Sequence, residues 1–246
     1  MDGDRRTLVQ SVTRAFDVLE TLQATPPQTP REIGLRAGIE RTVVYRLLRT
    51  LEACGMVVEV EGRWRLGVGT LDLAMSYLDA STFANTAPAF AMDLHKRVAV
   101  GHPWLVSLAV PVTDHIVLID RFWTEDSPLN SMTAIGTRIP FETSATGLAM
   151  LARMSAAEGC ARIGEERYAA VEARLESVRE SGSVALVRDS LGPGVSAIAA
   201  AVSDRSGTVV GAVNISGLRL EEHLDPASDV AREVGRTATS IMGALQ

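Results

Sequence analysis

The sequence predicts an α+β protein of two domains, joined by a helical connection. Two observations predict this class. Apolar residues recur at helical spacing up to about residue 53 and then alternate at strand spacing to residue 67. Beyond residue 103, strand-like and helix-like runs follow one another in mixed order. A chain of 246 residues is long enough for both domains to bury a core.

The composition is that of an ordinary globular protein, with 46% hydrophobic and 22% charged residues. The first residues lack the apolar stretch of a signal peptide, and no apolar run reaches the length of a membrane span. We therefore expect a cytoplasmic protein without a membrane partner. The two cysteines lack metal-ligand spacing, so no metal and no cofactor are expected.

The charge is unevenly divided between the two parts of the chain, although the net charge is −6. Residues 1–67 hold ten arginines and nine acidic residues, a net charge of +1. Residues 68–246 hold fourteen basic and twenty-one acidic residues, a net charge of −7. All basic residues except Lys96 are arginines, which suit bidentate contacts with phosphate and guanine. The asymmetry favours a small nucleic-acid module on an acidic partner domain.

Two helices open the chain. Apolar residues at helical spacing predict the first from Val9 to Ala24, and the prolines of "TPPQTP" end it. The second is the short "REIGLRAG" segment, with Thr29 as its N-cap and Gly38 at its end.

The third predicted helix, "ERTVVYRLLRTLEACG", carries two stripes on roughly opposite faces. One stripe is apolar and predicts a core face, and its members are Val44, Leu47, Leu48 and Leu51. The other stripe is polar and cationic, and its members are Thr42, Tyr45, Arg46 and Arg49.

A two-stranded hairpin is predicted next, in "MVVEVEGRWRLG". Val58 and Val60 lead to a turn at Glu61-Gly62, and Trp64 and Leu66 return from it. Arg63 and Arg65 lie on the other face of the returning strand. Three short helices followed by a two-stranded wing is the order of a winged helix-turn-helix.

A linker helix is predicted from Thr70 towards Arg97, with a break near Pro88. We expect domain boundaries of 1–68 for the winged helix-turn-helix, 69–97 for the linker and 98–246 for the second domain. In the second domain, the predicted strands are "WLVSLAV", "HIVLIDRF", "SVALVRD", "VSAIAAAVSD" and "TVVGAVNISG", and "SMTAIGTRIPF" is predicted to be a strand with a loop. Predicted helices follow Ser144 and Ser155, span about Glu165 to Glu180, and begin near Pro226.

Several of these segments resemble IclR-type bacterial transcription regulators, in the same order along nearly the full chain. They are "QSVTRAFDVLETL", "GIERTVVYRLLRTLE", "RWRLGVGTLDLA", "GTRIPFETSATGLAML" and "GVSAIAAAVSDRSGTVVGAVNISG". The resemblance implies a GAF-like second domain that binds a small organic effector, and a homodimer or homotetramer on a palindromic double-stranded DNA operator. It also implies that the effector acts through the linker helix, by changing how two winged helices fit two half-sites.

In such a module the third helix enters the major groove with its N-terminal half nearest the base edges. The candidates for base-edge contacts are Arg41, Thr42, Tyr45 and Arg46. Arg49, Arg63 and Arg65 are the candidates for phosphate contacts. The alternative is that the arginines only solvate an exposed helix face, partnered by Glu40 and Glu52.

The resemblance places the effector between the start of the "SATGLAML" helix and the later strands. The implied effector-binding residues are Phe141, Met132, Ala145, Thr146, Ser196, Asn214 and Ser216. N–H groups at a helix start suit a carboxylate, so a carboxylic or aromatic effector is expected. This chain departs from the family at Glu142, Leu148, Ser196 and Asn214, so another member's effector does not transfer to it. The alternative is that Ser144 is only a cap and Ser196 only a small core residue.

Two rival functions stay open, although enzyme activity is not expected. The four histidines are scattered, and no nucleophile–base pair or phosphate-binding loop is present in the sequence. One rival is a GAF-like small-molecule sensor or enzyme that uses the N-terminal domain only for assembly. The other is a winged-helix module that binds a protein partner.

Overall fold

The computed structural model describes residues 8–124, 134–190 and 192–245. The chain divides into two compact units, and the division falls between Ala80 and Ser81. That point lies inside the segment expected to form the linker. Each unit is described by itself.

The first unit has the helix and strand order of a winged helix-turn-helix, as predicted. Its elements are α1 (Gln10–Ala24), α2 (Pro30–Ala37), α3 (Arg41–Ala53), β1 (Val57–Val60), β2 (Arg63–Leu66) and α4 (Gly69–Ala80). Thr29 and Glu32 form a capping box at the start of α2, and Gly38 ends that helix with a left-handed φ of 65°. These end signals make α2 short enough to turn directly into α3.

The core of the first unit lies between the three helices and the inner face of the hairpin. Val18, Leu22, Val44, Leu48 and Trp64 are fully buried in it. Backbone hydrogen bonds of 2.9 and 2.7 Å join residues 28 and 64 in both directions, so the hairpin is also fixed to the loop after α1. The apolar stripe predicted for the third helix is confirmed as its core face.

Helix α4 is unusual because Gly69 is its only buried residue. Leu71, Leu73, Met75 and Tyr77 are between 45% and 64% exposed. The helix ends at Ala80, and Ser81 then caps α5 by accepting a hydrogen bond from the N–H of Ala84. The linker is therefore broken at Ser81 and not at Pro88, which lies inside α5.

The second unit is a three-layer α+β domain. Its helices are α5 (Thr82–Leu94), α6 (Ala145–Arg153), α7 (Ala156–Ile163), α8 (Glu165–Glu180) and α9 (Asp229–Ala244), and a single π-helical turn (His95–Ala99) follows α5. Its strands are β3 (Trp104–Pro111), β4 (His115–Phe122), β5 (Arg138–Pro140), β6 (Val184–Val187), β7 (Val195–Ser203) and β8 (Val209–Leu218). They form one antiparallel sheet in the order β5-β4-β3-β8-β7-β6.

Helices cover both faces of this sheet. Helices α6, α7 and α8 pack on one face, where Ala197, Ala199 and Ala212 lie beneath α6. Helices α5 and α9 pack on the other face, against residues such as Ile198 and Val213. We call these the α6 face and the α9 face. Because both faces are covered, every residue of β7 is buried.

The structure gives the bounds of two predicted elements of the second unit. In the described part of the strand and loop predicted for residues 131–141, residues 134–137 form a turn and the strand is β5. The last helix, predicted to begin near Pro226, begins at Asp229, where Ser228 caps it. Within the described residues, no helix is long and apolar enough to span a membrane.

Candidate nucleic-acid interface and effector site

Helix α3 presents its predicted polar stripe to solvent. Thr42, Tyr45, Arg46 and Arg49 are all exposed, as is Arg41 at the first position of the helix. The apolar side chains of the same helix fix its rotation, since Val44 and Leu48 are fully buried on the opposite face. The side chains predicted to read DNA therefore lie on one exposed helix face.

A carboxylate caps the N-terminus of this helix, which sequence reasoning missed. Glu40 accepts hydrogen bonds from the Thr42 hydroxyl and from the Thr42 N–H, the latter at 3.1 Å. These bonds, the hydroxyl bond first, hold the pKa of Glu40 below its ordinary value. The Thr42 hydroxyl is thus engaged by Glu40. The signal lay in an acidic residue just before the helix, where a cap is expected.

Arg49 is held by three side chains of its own unit. Its Nε and Nη2 donate to the Tyr45 hydroxyl at 3.1 and 3.0 Å. Its Nη1 donates to Glu52 at 2.7 Å, and its Nη2 lies 3.0 Å from a carboxylate oxygen of Glu59. These contacts, led by Glu52, raise the pKa of Arg49. The guanidinium carbon also lies 5.2 Å from the centre of the Trp64 ring.

The hairpin register decides which wing residues face solvent. Glu59 is directly opposite Trp64, and both lie on the inner face. Val58 is opposite Arg65 and Val60 is opposite Arg63, and these four side chains are exposed on the outer face. The two valines therefore share the arginine face, whereas the sequence pattern grouped them with the core residues of the wing.

The two wing arginines differ in their contacts. Arg63 donates to the carbonyl oxygen of Pro27 at 3.1 Å and lies 3.5 Å from a carboxylate oxygen of Glu32. The side chain of Arg65 has no hydrogen bond or ion pair within residues 8–124, 134–190 and 192–245, and the same holds for the side chains of Arg41 and Arg46. Of the arginines predicted to contact DNA, these three thus have side chains without a partner in the part of the chain that the structure describes.

The start of α6 is buried and tightly packed. Ser144 caps it by accepting a hydrogen bond from the N–H of Gly147 at 3.0 Å. A Cβ at Gly147 would lie 2.2 Å from the carbonyl oxygen of Phe141, so only glycine permits this approach. Ala145, Thr146 and Phe141 are all buried there.

Buried polar groups converge on the α6 face of the sheet. Asn214 and Ser216 alternate with core residues along β8, and Ser107 of β3 is directly opposite Asn214. The Asn214 side-chain N–H donates to the Ser107 hydroxyl at 3.2 Å. In the described part of the chain, Oδ1 of Asn214 and Oγ of Ser216 are buried without a hydrogen-bond partner. Such unpaired buried groups are rare in folded proteins and are typical of ligand sites.

Ser196 does not join this group, because the strand pleat directs it to the α9 face. Ala197 is directly opposite Ser216 and shares its face. Ser196 is one residue earlier, so its side chain points the opposite way. The position beside Ser216 is thus occupied by Ala197, which sequence reasoning missed along with Ser107. The other expected residue, Met132, lies outside the described residues.

Family models match both units of the chain. The model of the IclR helix-turn-helix domain matches residues 11–61. The model described as "Bacterial transcriptional regulator IclR C-terminal" matches residues 97–242, which is more than half of the chain.

Individual proteins are also similar to this chain over almost its full length. The HTH-type transcriptional repressor AllR of Escherichia coli (strain K12) is 24% identical, and the match covers 95% of this chain and 90% of AllR. A putative IclR transcriptional regulator from Silicibacter sp. TM1040 has a TM-score of 0.79 at 18% identity, with 96% of each chain covered. An IclR homologue from Microbacterium hydrocarbonoxydans, solved as a complex with 4-hydroxybenzoate, has a TM-score of 0.74 at 19% identity, with 96% of this chain and 99% of that chain covered.

Proposed function

The chain belongs to the IclR family of bacterial transcription regulators, and on that premise we propose that it binds a palindromic operator as a homodimer or homotetramer under the control of a small organic acid. It carries the DNA-binding helix-turn-helix and the C-terminal ligand-binding domain of that family. The relatives named as repressors support repression as the mode of control. The observation that carries the proposal is the exposed cationic face of α3, where the side chains of Arg41 and Arg46 have no partner among the described residues.

We assign direct contact with DNA to residues whose side chains are exposed and uncommitted. Arg41 and Arg46 on α3 can donate to guanine edges or to phosphate, and Arg65 on the wing can bind phosphate. Tyr45 is 46% exposed and offers a hydroxyl from the same helix face. Thr42, Arg49 and Arg63 are exposed but engaged, so their part in binding is smaller or indirect.

We propose that a second copy of the chain covers α4 and the outer side of α1. Leu73 and Tyr77 of α4 and Val12 and Phe16 of α1 are each more than half exposed. Large apolar side chains exposed at this density on two helices of one unit are typical of surfaces that contact another protein. A two-fold contact through the DNA-binding unit also pairs two reading helices, as a palindromic operator requires.

We propose that the effector binds between the start of α6 and the α6 face of the sheet. Asn214 and Ser216 supply unpaired polar groups, and the N–H groups at the start of α6 can donate to a carboxylate. Phe141 is a buried aromatic surface next to that helix start. The complex of a structural neighbour with 4-hydroxybenzoate supports an aromatic acid as the class of effector.

The DNA part of the proposal is tested by fluorescence anisotropy with duplex DNA from upstream of the protein's own gene, at two salt concentrations. We expect selective binding over unrelated DNA of equal length, with affinity that falls steeply as salt rises because phosphate contacts release counterions. A protein-binding module or an assembly-only domain predicts no selectivity. Equal affinity for both DNAs would therefore contradict the proposal.

The effector part is tested by a thermal-shift screen of aromatic and aliphatic carboxylic acids. A ligand that binds the folded state raises the melting temperature, by an amount that increases with ligand concentration. The ligand must also change the affinity for DNA, since it can shift an equilibrium only by binding the two states differently. An acid that stabilises the protein but leaves operator affinity unchanged is not the effector.

A further inference from the structure

We propose that Arg49 is a positioning residue, which sets base preference by orienting Tyr45 and by fixing the wing to the reading helix. The proposal rests on the proposed function, since it concerns DNA read by α3. It departs from the phosphate contact that the sequence predicts for Arg49. The departure follows from what the guanidinium group contacts in the folded protein.

The N–H groups of Arg49 are almost fully used inside the unit. A guanidinium group has five N–H donors. Two of them bond to Tyr45, one bonds to Glu52, and one is directed at Glu59. Only one N–H, on Nη1, is left, so a bidentate phosphate contact would require Arg49 to give up one of these partners. The side chains of Arg46 and Arg65 have no such partner in the described residues.

The charge around Arg49 also opposes a phosphate contact. Glu52 and Glu59 are both within salt-bridge distance, at 2.7 and 3.0 Å. Two carboxylates and one guanidinium carry a net charge of −1. A phosphate approaching this cluster therefore meets repulsion, while it meets an unopposed positive charge at Arg65.

The contact with Tyr45 gives Arg49 a route to base preference. The Tyr45 hydroxyl accepts two N–H groups from Arg49, so its own O–H points away from the guanidinium. Tyr45 lies on the exposed face of α3, one turn before Arg49. Its O–H is therefore available to donate a hydrogen bond to DNA, and the major groove offers acceptors such as guanine N7 and thymine O4.

The contacts with the hairpin give Arg49 its second role. Glu59 lies on β1 and Trp64 lies directly opposite on β2, so one side chain of α3 reaches both wing strands. The guanidinium plane bonds to the carboxylate and lies over the indole ring at the same time. Lysine has a single ammonium group and cannot make this set of contacts.

The proposal is tested in the full-length protein with Arg49→Met, which keeps much of the side-chain length and removes the charge. We expect affinity for the operator to fall, and the preference over single-base variants of the site facing Tyr45 to shrink by roughly three- to tenfold. The slope of log affinity against log salt should stay at the wild-type value. The matched control is Arg65→Met, which should lower that slope by about 0.9 and leave base preference intact.

Four further variants separate positioning from a merely structural effect. Tyr45→Phe should relax the same base preference, and the double variant with Arg49→Met should relax it no further. Arg49→Lys should not restore the preference, although it restores the charge. Glu59→Gln should loosen the hairpin while keeping the preference set by Tyr45.

Hydrogen exchange of the DNA-free protein tests the wing contact independently of DNA binding. Arg49→Met should speed amide exchange in β1 and β2, and Arg65→Met should not. The proposal is overturned if Arg49→Met lowers the salt slope by about 0.9 with uniform loss of affinity, or if hairpin exchange is unchanged. If the wild-type protein itself shows no selective DNA binding, the proposed function fails, and the exchange result still decides whether Arg49 fixes the wing.

Discussion

Folded proteins usually bury their large apolar side chains and pair their buried polar atoms, and the two units depart from this in opposite ways. The first unit exposes apolar side chains along α4 and on α1, and it exposes arginines on α3 and the wing whose side chains have no partner among the described residues. The second unit encloses unpaired polar atoms, at Asn214 and Ser216, inside a core of alanines and other apolar residues. Natural sequences break such rules mainly at functional sites. The difference supports the proposals made above, in which the first unit contacts DNA and a second copy at its surface and the second unit binds a small ligand in its interior.

Helices α4 and α5 also differ in how many apolar residues they bury, although both come from the segment predicted as one linker. Helix α5 buries Phe83, Ala87, Ala91 and Leu94 at regular helical spacing. Helix α4, of similar length and just before it, buries only Gly69. An apolar helix whose side chains are exposed is expected to pack against another protein. The variant with the largest expected effect is therefore placed on α4.

The largest effect is expected from Leu73→Lys, which places a charge in the apolar surface of α4. We expect a lower mass in solution, because the charge would be desolvated in the contact between two copies. Operator affinity should fall by about 100-fold or more, since two linked half-site contacts become one. Light scattering after size-exclusion chromatography measures the mass, and anisotropy measures the affinity.

Ser76→Lys is the matched control, because Ser76 lies on the polar stripe of α4 with Asp72 and Asp79. It adds the same charge to the same helix and should leave both mass and affinity near the wild-type values. If Leu73→Lys behaved like this control, the exposed apolar surface of the first unit would not be a contact between copies.

An effect of intermediate size, on effector affinity, is expected from comparing the variants Ser216→Ala and Ser196→Ala. Both serines are buried, with 1% of each residue exposed, and neither hydroxyl has a hydrogen-bond partner among the described residues. Each change should therefore leave stability unchanged or raise it by up to about 1 kcal/mol. Only Ser216→Ala should weaken effector binding, by roughly two- to tenfold, because only Ser216 lies on the α6 face.

Isothermal titration calorimetry with the acid selected by the thermal-shift screen measures the effector affinity of each variant, and thermal unfolding measures its stability. Equal loss of effector affinity in both variants would contradict the assignment of the site to one face of the sheet. Loss in Ser196→Ala alone would move the site to the α9 face.

The smallest effect is expected in the salt dependence of the wing variants. Arg65→Ala should lower the log–log salt slope by about 0.9, as one phosphate contact is lost. Arg63→Ala should change the slope by less than about half of that, because Arg63 is held by Pro27 and Glu32. Anisotropy titrations at four or more salt concentrations give the slopes, and equal slopes for the two variants would show that the ion pair of Arg63 opens on DNA.

Local chemistry made much of the fold predictable. The caps at Thr29 and Ser155 and the helix end at Gly38 are set by neighbours within a few residues, and the structure confirms all three. The apolar stripe of α3 follows from helical spacing alone. The site was less predictable, because contacts such as that between Arg49 and Glu59 join residues on different elements.

The sequence by itself determined the order of the elements, the core face of the reading helix and the uneven charge of the two parts, since each depends on spacing or composition along the chain. Only the tertiary structure decided which arginines are uncommitted, because that depends on which carboxylates fold back against them. It also decided that Ala197 and not Ser196 lies beside Ser216. A strand alternates its faces at every residue, so a shift of one position that is small in the sequence moves a side chain to the other side of the sheet.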